Sequence, residues 1–112
     1  MNGTIDVDTI AHAAADYPAL AQLFGGYYHQ DWLQDHASQD AALHAFVRDT
    51  SAETVGAAAA EIDRLLGAGF SDAELAQVLT DGFDCNYMPE TDGLTPGAWL
   101  TELRDGLRFA KS

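Results

Sequence analysis

Four residues lying close together, His29, Asp31, Asp35 and His36, are of the types that hold metal ions or move protons. Imidazole and carboxylate are common donors to zinc, and both serve as general acids and bases. Their spacing argues against a zinc site. The chain has no HExxH, no CxxC and no histidine pair at i,i+4, and His29 and His36 stand about two helical turns apart. The four are therefore read as solvated surface residues. A small metal-dependent or acid–base enzyme built on them is kept as the alternative.

A second acidic group follows further along. Asp81 and Asp84 bracket Gly82-Phe83, and Glu90 and Asp92 come next. Paired carboxylates do acid–base work when burial perturbs one of them, and nothing in this stretch predicts burial of either. The segment DGFDCNYMPETDG lacks the ligand order and terminal Glu of an EF-hand calcium loop. Cys85 adjoins Asp84, whose negative charge disfavours a thiolate, so a structural thiol is expected. No nucleophile elbow, phosphate-cradling glycine loop or dinucleotide fingerprint occurs. The expectation is a binding protein with no catalytic residue, no metal and no cofactor. Its contact residues are predicted to be Asp31, Asp35, Asp81, Asp84 and Asp92, with Tyr28 and Tyr87 as anchors.

Charge points the same way. Eighteen Asp and Glu against five Lys and Arg give 112 residues a formal net charge of -13. Nucleic-acid backbones and anionic membrane surfaces repel such a chain, whereas a cationic protein is attracted to it. Acidity also fits a protein that is merely kept soluble. Cys85 is the single cysteine, which excludes an internal disulfide and suits a reducing compartment. With no signal-peptide pattern and no long apolar run, a soluble cytoplasmic protein is expected.

These residues need elements to position them, and the sequence predicts helices. Tyr17–Trp32, YPALAQLFGGYYHQDW, is the richest stretch in large apolar residues. Pro18 suits a first helical position, and Leu20, Leu23, Phe24 and Tyr27 share one face. Gly25-Gly26 is expected to stop or bend that helix. Before it, Asp8 or Thr9 is the expected cap of a short helix over Ile10–Ala15, unless residues 1–16 are frayed. Ser38 should cap a helix burying Ala42, Leu43, Phe46 and Val47. Thr50-Ser51 should open another, burying Val55, Ala58, Ala59, Ile62, Leu65 and Leu66. The alanines of that helix allow close approach by a neighbour, which marks it as central. Ser71 and Glu74 form a capping box ahead of Leu75, Val78 and Leu79. An irregular loop, or a short strand over 83–88, follows. Thr95-Pro96 then begins a last helix with Trp99, Leu100, Leu103 and Leu107 on one face. The prediction is an all-α, compact single-domain bundle of five to six short helices spanning 1–112, with a modest core.

The run YPALAQLFGGYYHQDW, followed in order by ALHAFV, EIDRLL, SDAELAQVL and TPGAWLTELRDGL, resembles the immunity proteins of bacterial contact-dependent growth inhibition systems. The match runs from about Tyr17 to Leu107. The resemblance implies a small helical cytoplasmic protein that binds the C-terminal toxin domain delivered by a neighbouring cell. It further implies that the toxin is a nuclease, with tRNA a common substrate. A helical regulatory scaffold with another partner is the remaining alternative.

Overall fold

The computed structural model describes residues 7–28 and 38–111, with side chains from 10 to 28 and from 38 to 109. Six α-helices are present among them: α1 Val7–Asp16, α2 Pro18–Tyr27, α3 Gln39–Asp49, α4 Ala52–Gly67, α5 Asp72–Gln77 and α6 Pro96–Lys111. A π-helical turn, Val78–Gly82, prolongs α5, and a 3-10 turn, Pro89–Asp92, lies in the connection to α6. No strand occurs among the described residues. The all-α architecture expected from the sequence is the one observed.

Local chemistry explains most boundaries. Ser38 and Ser51 accept hydrogen bonds from the Ala41 and Thr54 amides, capping α3 and α4. Ser71 and Glu74 form the reciprocal capping box at α5. Thr95 Oγ1 accepts from the Ala98 amide just before Pro96. Two expectations are corrected. Helix α1 starts at Val7, so Asp8 and Thr9 lie inside it rather than capping it. Helix α2 runs through Gly25-Gly26 to Tyr27 without stopping. The break falls earlier, at Tyr17, because Pro18 drives the preceding residue out of helical geometry (φ -131°, ψ 67°).

Helices α4 and α6 share the longest seam, α2 packs on α4, and α3 touches α2, α4 and α6. The core holds Leu20, Leu23, Phe24, Phe46, Ile62, Leu65, Trp99, Leu100, Leu103 and Leu107. Helix α1 packs against the π turn. That approach requires Gly82, where an added Cβ would come within 2.9 Å of Ala13 Cβ.

Among the described residues one charged side chain lies in this core region: Glu61, 9% exposed. Its Oε1 accepts hydrogen bonds from the Ala19 and Leu20 amides at 2.9 and 3.1 Å. Tyr17 offers α2 no side-chain cap, so Glu61 supplies the acceptor from another helix. Amide donors and the positive end of the α2 dipole offset the cost of burying a carboxylate.

Candidate interaction surface

The segment between α5 and α6 follows from the π turn. Five residues there accommodate one extra residue relative to an α-helical path, a feature often found near functional sites. The Phe83 amide bonds back to the Val78 carbonyl and the Cys85 amide to the Leu79 carbonyl. Between them Asp84 adopts φ 55°, the left-handed region that Asp tolerates better than most residues. Asn86 then donates its amide to the Tyr28 carbonyl at 2.8 Å, tying the segment to the end of α2. The chain turns at Pro89–Asp92 and leaves through Gly93, whose φ of 78° favours glycine.

Beneath this segment lies an aromatic cluster. Trp99 contacts Tyr87, Tyr28 and Phe24 at ring-centroid distances of 4.7, 5.4 and 5.7 Å, and Phe24 meets Phe83 at 5.4 Å. The polar tips are satisfied. Tyr28 donates to the Gln39 carbonyl, Trp99 Nε1 to Gln39 Oε1, and Tyr87 to Asp92 Oδ2 at 2.5 Å. Burial raises the tyrosine hydroxyls of Tyr28 and Tyr87 well above their ordinary range, and Asp92 reinforces this at Tyr87. Burial also pushes the Cys85 thiol up to about 12. These groups are neutral and structural at physiological pH, not nucleophiles.

The outer side of the segment is acidic. Asp81, Asp84, Glu90 and Asp92 are exposed, and Asp40 and Glu102 lie near enough to Tyr87 to oppose its ionisation. None of these carboxylates forms an ion pair among the described residues. The described arginines are engaged elsewhere. Arg48 pairs with Asp49, and Arg64 bonds the Asp16 carbonyl beside the Tyr17 ring. Arg104 and Arg108 both bind Asp63. Met88, 61% exposed, adds an apolar side chain to the acidic face.

A family model described as CdiI immunity protein matches residues 16–107. The chain belongs to the CdiI immunity protein family. A chain of the crystal structure titled CdiA-CT/CdiI complex from Y. kristensenii 33638 superposes with a TM-score of 0.80 at 28% identity. The alignment covers 85% of this chain and 96% of that one. No curated protein matches the sequence. The family region of this immunity protein takes in α2 through most of α6, including the aromatic cluster and the acidic segment.

Of the residues singled out in the sequence, Asp81, Asp84 and Asp92 share the π turn and the segment after it, all exposed. Asp31 and Asp35, together with His29 and His36 of the alternative cluster, lie outside the described residues. The two tyrosines require a correction. Tyr28 is 0% and Tyr87 6% exposed, so neither ring has a face to insert into a partner. They support the segment from below. Asp40 and Glu102 escaped notice because sixty-two positions separate them in sequence and only the tertiary fold brings both near Tyr87. Glu61 was detectable: it sits at i+3 from Ala58 and i-4 from Leu65, on the face assigned to the core. Among the described residues no group of three or more His, Cys, Asp or Glu is placed to hold a metal ion. No described helix is long and apolar enough to cross a membrane.

Proposed function

We propose that this immunity protein neutralises the C-terminal toxin domain of its own contact-dependent growth inhibition system, binding it in the cytoplasm and occluding its active site. In this reading the toxin domain is a basic nuclease and tRNA its substrate class. The observation that carries it is the set of exposed carboxylates at Asp81, Asp84 and Asp92, unpaired with any described cation, on a segment hydrogen-bonded to the core. Such side chains stand where a nuclease would hold substrate phosphates, so the same fields that attract the toxin exclude its RNA. Asp31 and Asp35 are proposed as further contact residues. Tyr87 orients the Asp92 carboxylate, and Tyr28 fixes Asn86 through its backbone carbonyl. The family relationship and the related chain seen in a CdiA-CT/CdiI complex support the choice of partner. Inhibition by occlusion needs no catalytic step and no cofactor.

The test is co-expression with the C-terminal toxin domain of the same system, followed by co-purification, growth protection and binding kinetics at two salt concentrations. The expected result is a stable complex, protection, and an association rate that falls as salt screens the field over about 10 Å at 0.1 M. Reversing Asp31, Asp35, Asp81, Asp84 and Asp92 together should slow association at least tenfold. Salt-insensitive association with full protection by the five-site variant would defeat this surface assignment.

A further inference from the structure

A second carboxylate-lined feature lies away from the acidic segment. Between helices α2 and α4 lies an open groove of about 460 Å³ lined by Pro18, Ala19, Gln22, Glu53, Thr54, Ala57 and Glu61. Glu53, Ala57 and Glu61 recur at i, i+4 and i+8, one stripe of α4, while Pro18, Ala19 and Gln22 form the facing stripe of α2. Small side chains at Ala19 and Ala57 hold the groove open.

Glu61 gives the groove its chemistry. Its Oε1 is occupied by the Ala19 and Leu20 amides, whereas Oε2 has no hydrogen-bond partner among the described residues. Fully buried side-chain oxygens without partners are absent among those residues, so Oε2 is accessible to solvent, and Glu61 is one of the residues lining the groove. A carboxylate nine-tenths buried and fixed through one oxygen presents the other in a set direction. No Lys or Arg lines the groove. The nearby Arg64 is turned to the Asp16 carbonyl and the Tyr17 ring. Glu53 stands eight residues before Glu61, about 12 Å along the helix.

We infer that the α2–α4 groove is a docking slot for a cationic ridge of the toxin domain, with an arginine or lysine side chain reaching Glu61 Oε2 and a second cation meeting Glu53 at the open end. This rests on the toxin-binding reading above and adds a second contact region to it. Arginine fits the inner position better, since guanidinium is more weakly hydrated than ammonium and its stem can lie along Ala57 and Pro18. The fixed geometry of Glu61 limits the ordering needed on binding.

Binding of the toxin domain to three variants tests the assignment. Ala57→Arg, at an exposed helical position, fills the slot with the protein's own cation and should weaken affinity at least tenfold without lowering the unfolding midpoint. Ala73→Arg, exposed on α5 outside the groove, adds the same charge and should change affinity less than twofold. Glu61→Gln keeps an oxygen for the α2 amides and removes the anion, and it too should weaken binding about tenfold. The Ala19 and Leu20 amide resonances should shift when toxin domain is added to the parent protein, and with Glu61→Gln only at about tenfold higher toxin concentration. If Glu61→Gln fails to fold, Ala57→Arg decides alone. Affinity within twofold of the parent for Ala57→Arg overturns the slot and leaves the proposed function standing. Absence of binding by the parent itself would defeat the proposed function, and the slot with it.

Discussion

At the seam of α4 and α6, Asp63 receives hydrogen bonds from both Arg104 and Arg108, and Arg104 also reaches Asp105. On the segment between α5 and α6, Asp81, Asp84, Glu90 and Asp92 receive none from any described cation. The two regions also differ in backbone. The seam joins two sixteen-residue helices, whereas the segment passes through a π turn, a left-handed Asp and a 3-10 turn. Two of the four arginines bind at this seam, and the carboxylates of the irregular surface are paired with no described cation. A protein with few basic residues thereby pairs its helices locally while the carboxylates of the segment stay unneutralised by any described cation.

Trp99 connects the two regions, since it lies on α6 and contacts Tyr87 beneath the acidic segment. Trp99→Ala should therefore have the largest effect, destabilising by roughly 3–5 kcal/mol through the cavity and the lost Gln39 hydrogen bond. Denaturant unfolding would measure it. A loss below about 1 kcal/mol would show that the segment and the seam are not coupled through this ring.

A sharper contrast comes from neutralising one carboxylate on each side. Asp84→Asn keeps a residue type that tolerates the left-handed conformation. It should slow toxin association several-fold at low salt and shift stability by less than about 0.5 kcal/mol. Asp63→Asn should do the reverse, leaving association unchanged and lowering stability slightly. Its pH dependence has a definite sign. The hydrogen bond from Arg104, aided by the charge of Arg108, holds the Asp63 carboxyl below its ordinary 3.8. A depressed folded value means that the contribution is present above the unfolded value and disappears as pH falls through the folded one. The difference between parent and Asp63→Asn should thus vanish in acid and be small throughout, because the pair is partly exposed. Equal kinetic effects from the two substitutions would erase the distinction between the regions.

Helix ends were largely legible in the sequence because their signals are local. A Ser, a capping box and Thr-Pro each act within four residues, and Ser38, Ser51, Ser71 and Thr95 cap as their sequences predict. The apolar stripes were legible for the same reason. Gly25-Gly26 misled because helix propensity is a weak force beside the packing of Leu20, Leu23 and Phe24, which carries α2 past both glycines. The anchor role expected of Tyr28 and Tyr87 failed on depth. An amphipathic ring looks the same in sequence whether its hydroxyl reaches solvent or, as here, Gln39 and Asp92. The spacing of Glu61 marks it as inward-facing, but its partners, the Ala19 and Leu20 amides, lie more than forty residues away, and no local pattern names them.

Cys85 gives the acidic segment a timekeeper. It is the only thiol in the chain, it is buried beneath the residues that carry Asp84 and Asp92, and its proton is held up to about 12. Alkylating reagents attack the thiolate, so the folded protein should react only during moments when the segment lifts away from the core. The rate of alkylation then counts those openings directly, with no engineered probe. A partner seated on the segment would lengthen the interval between them.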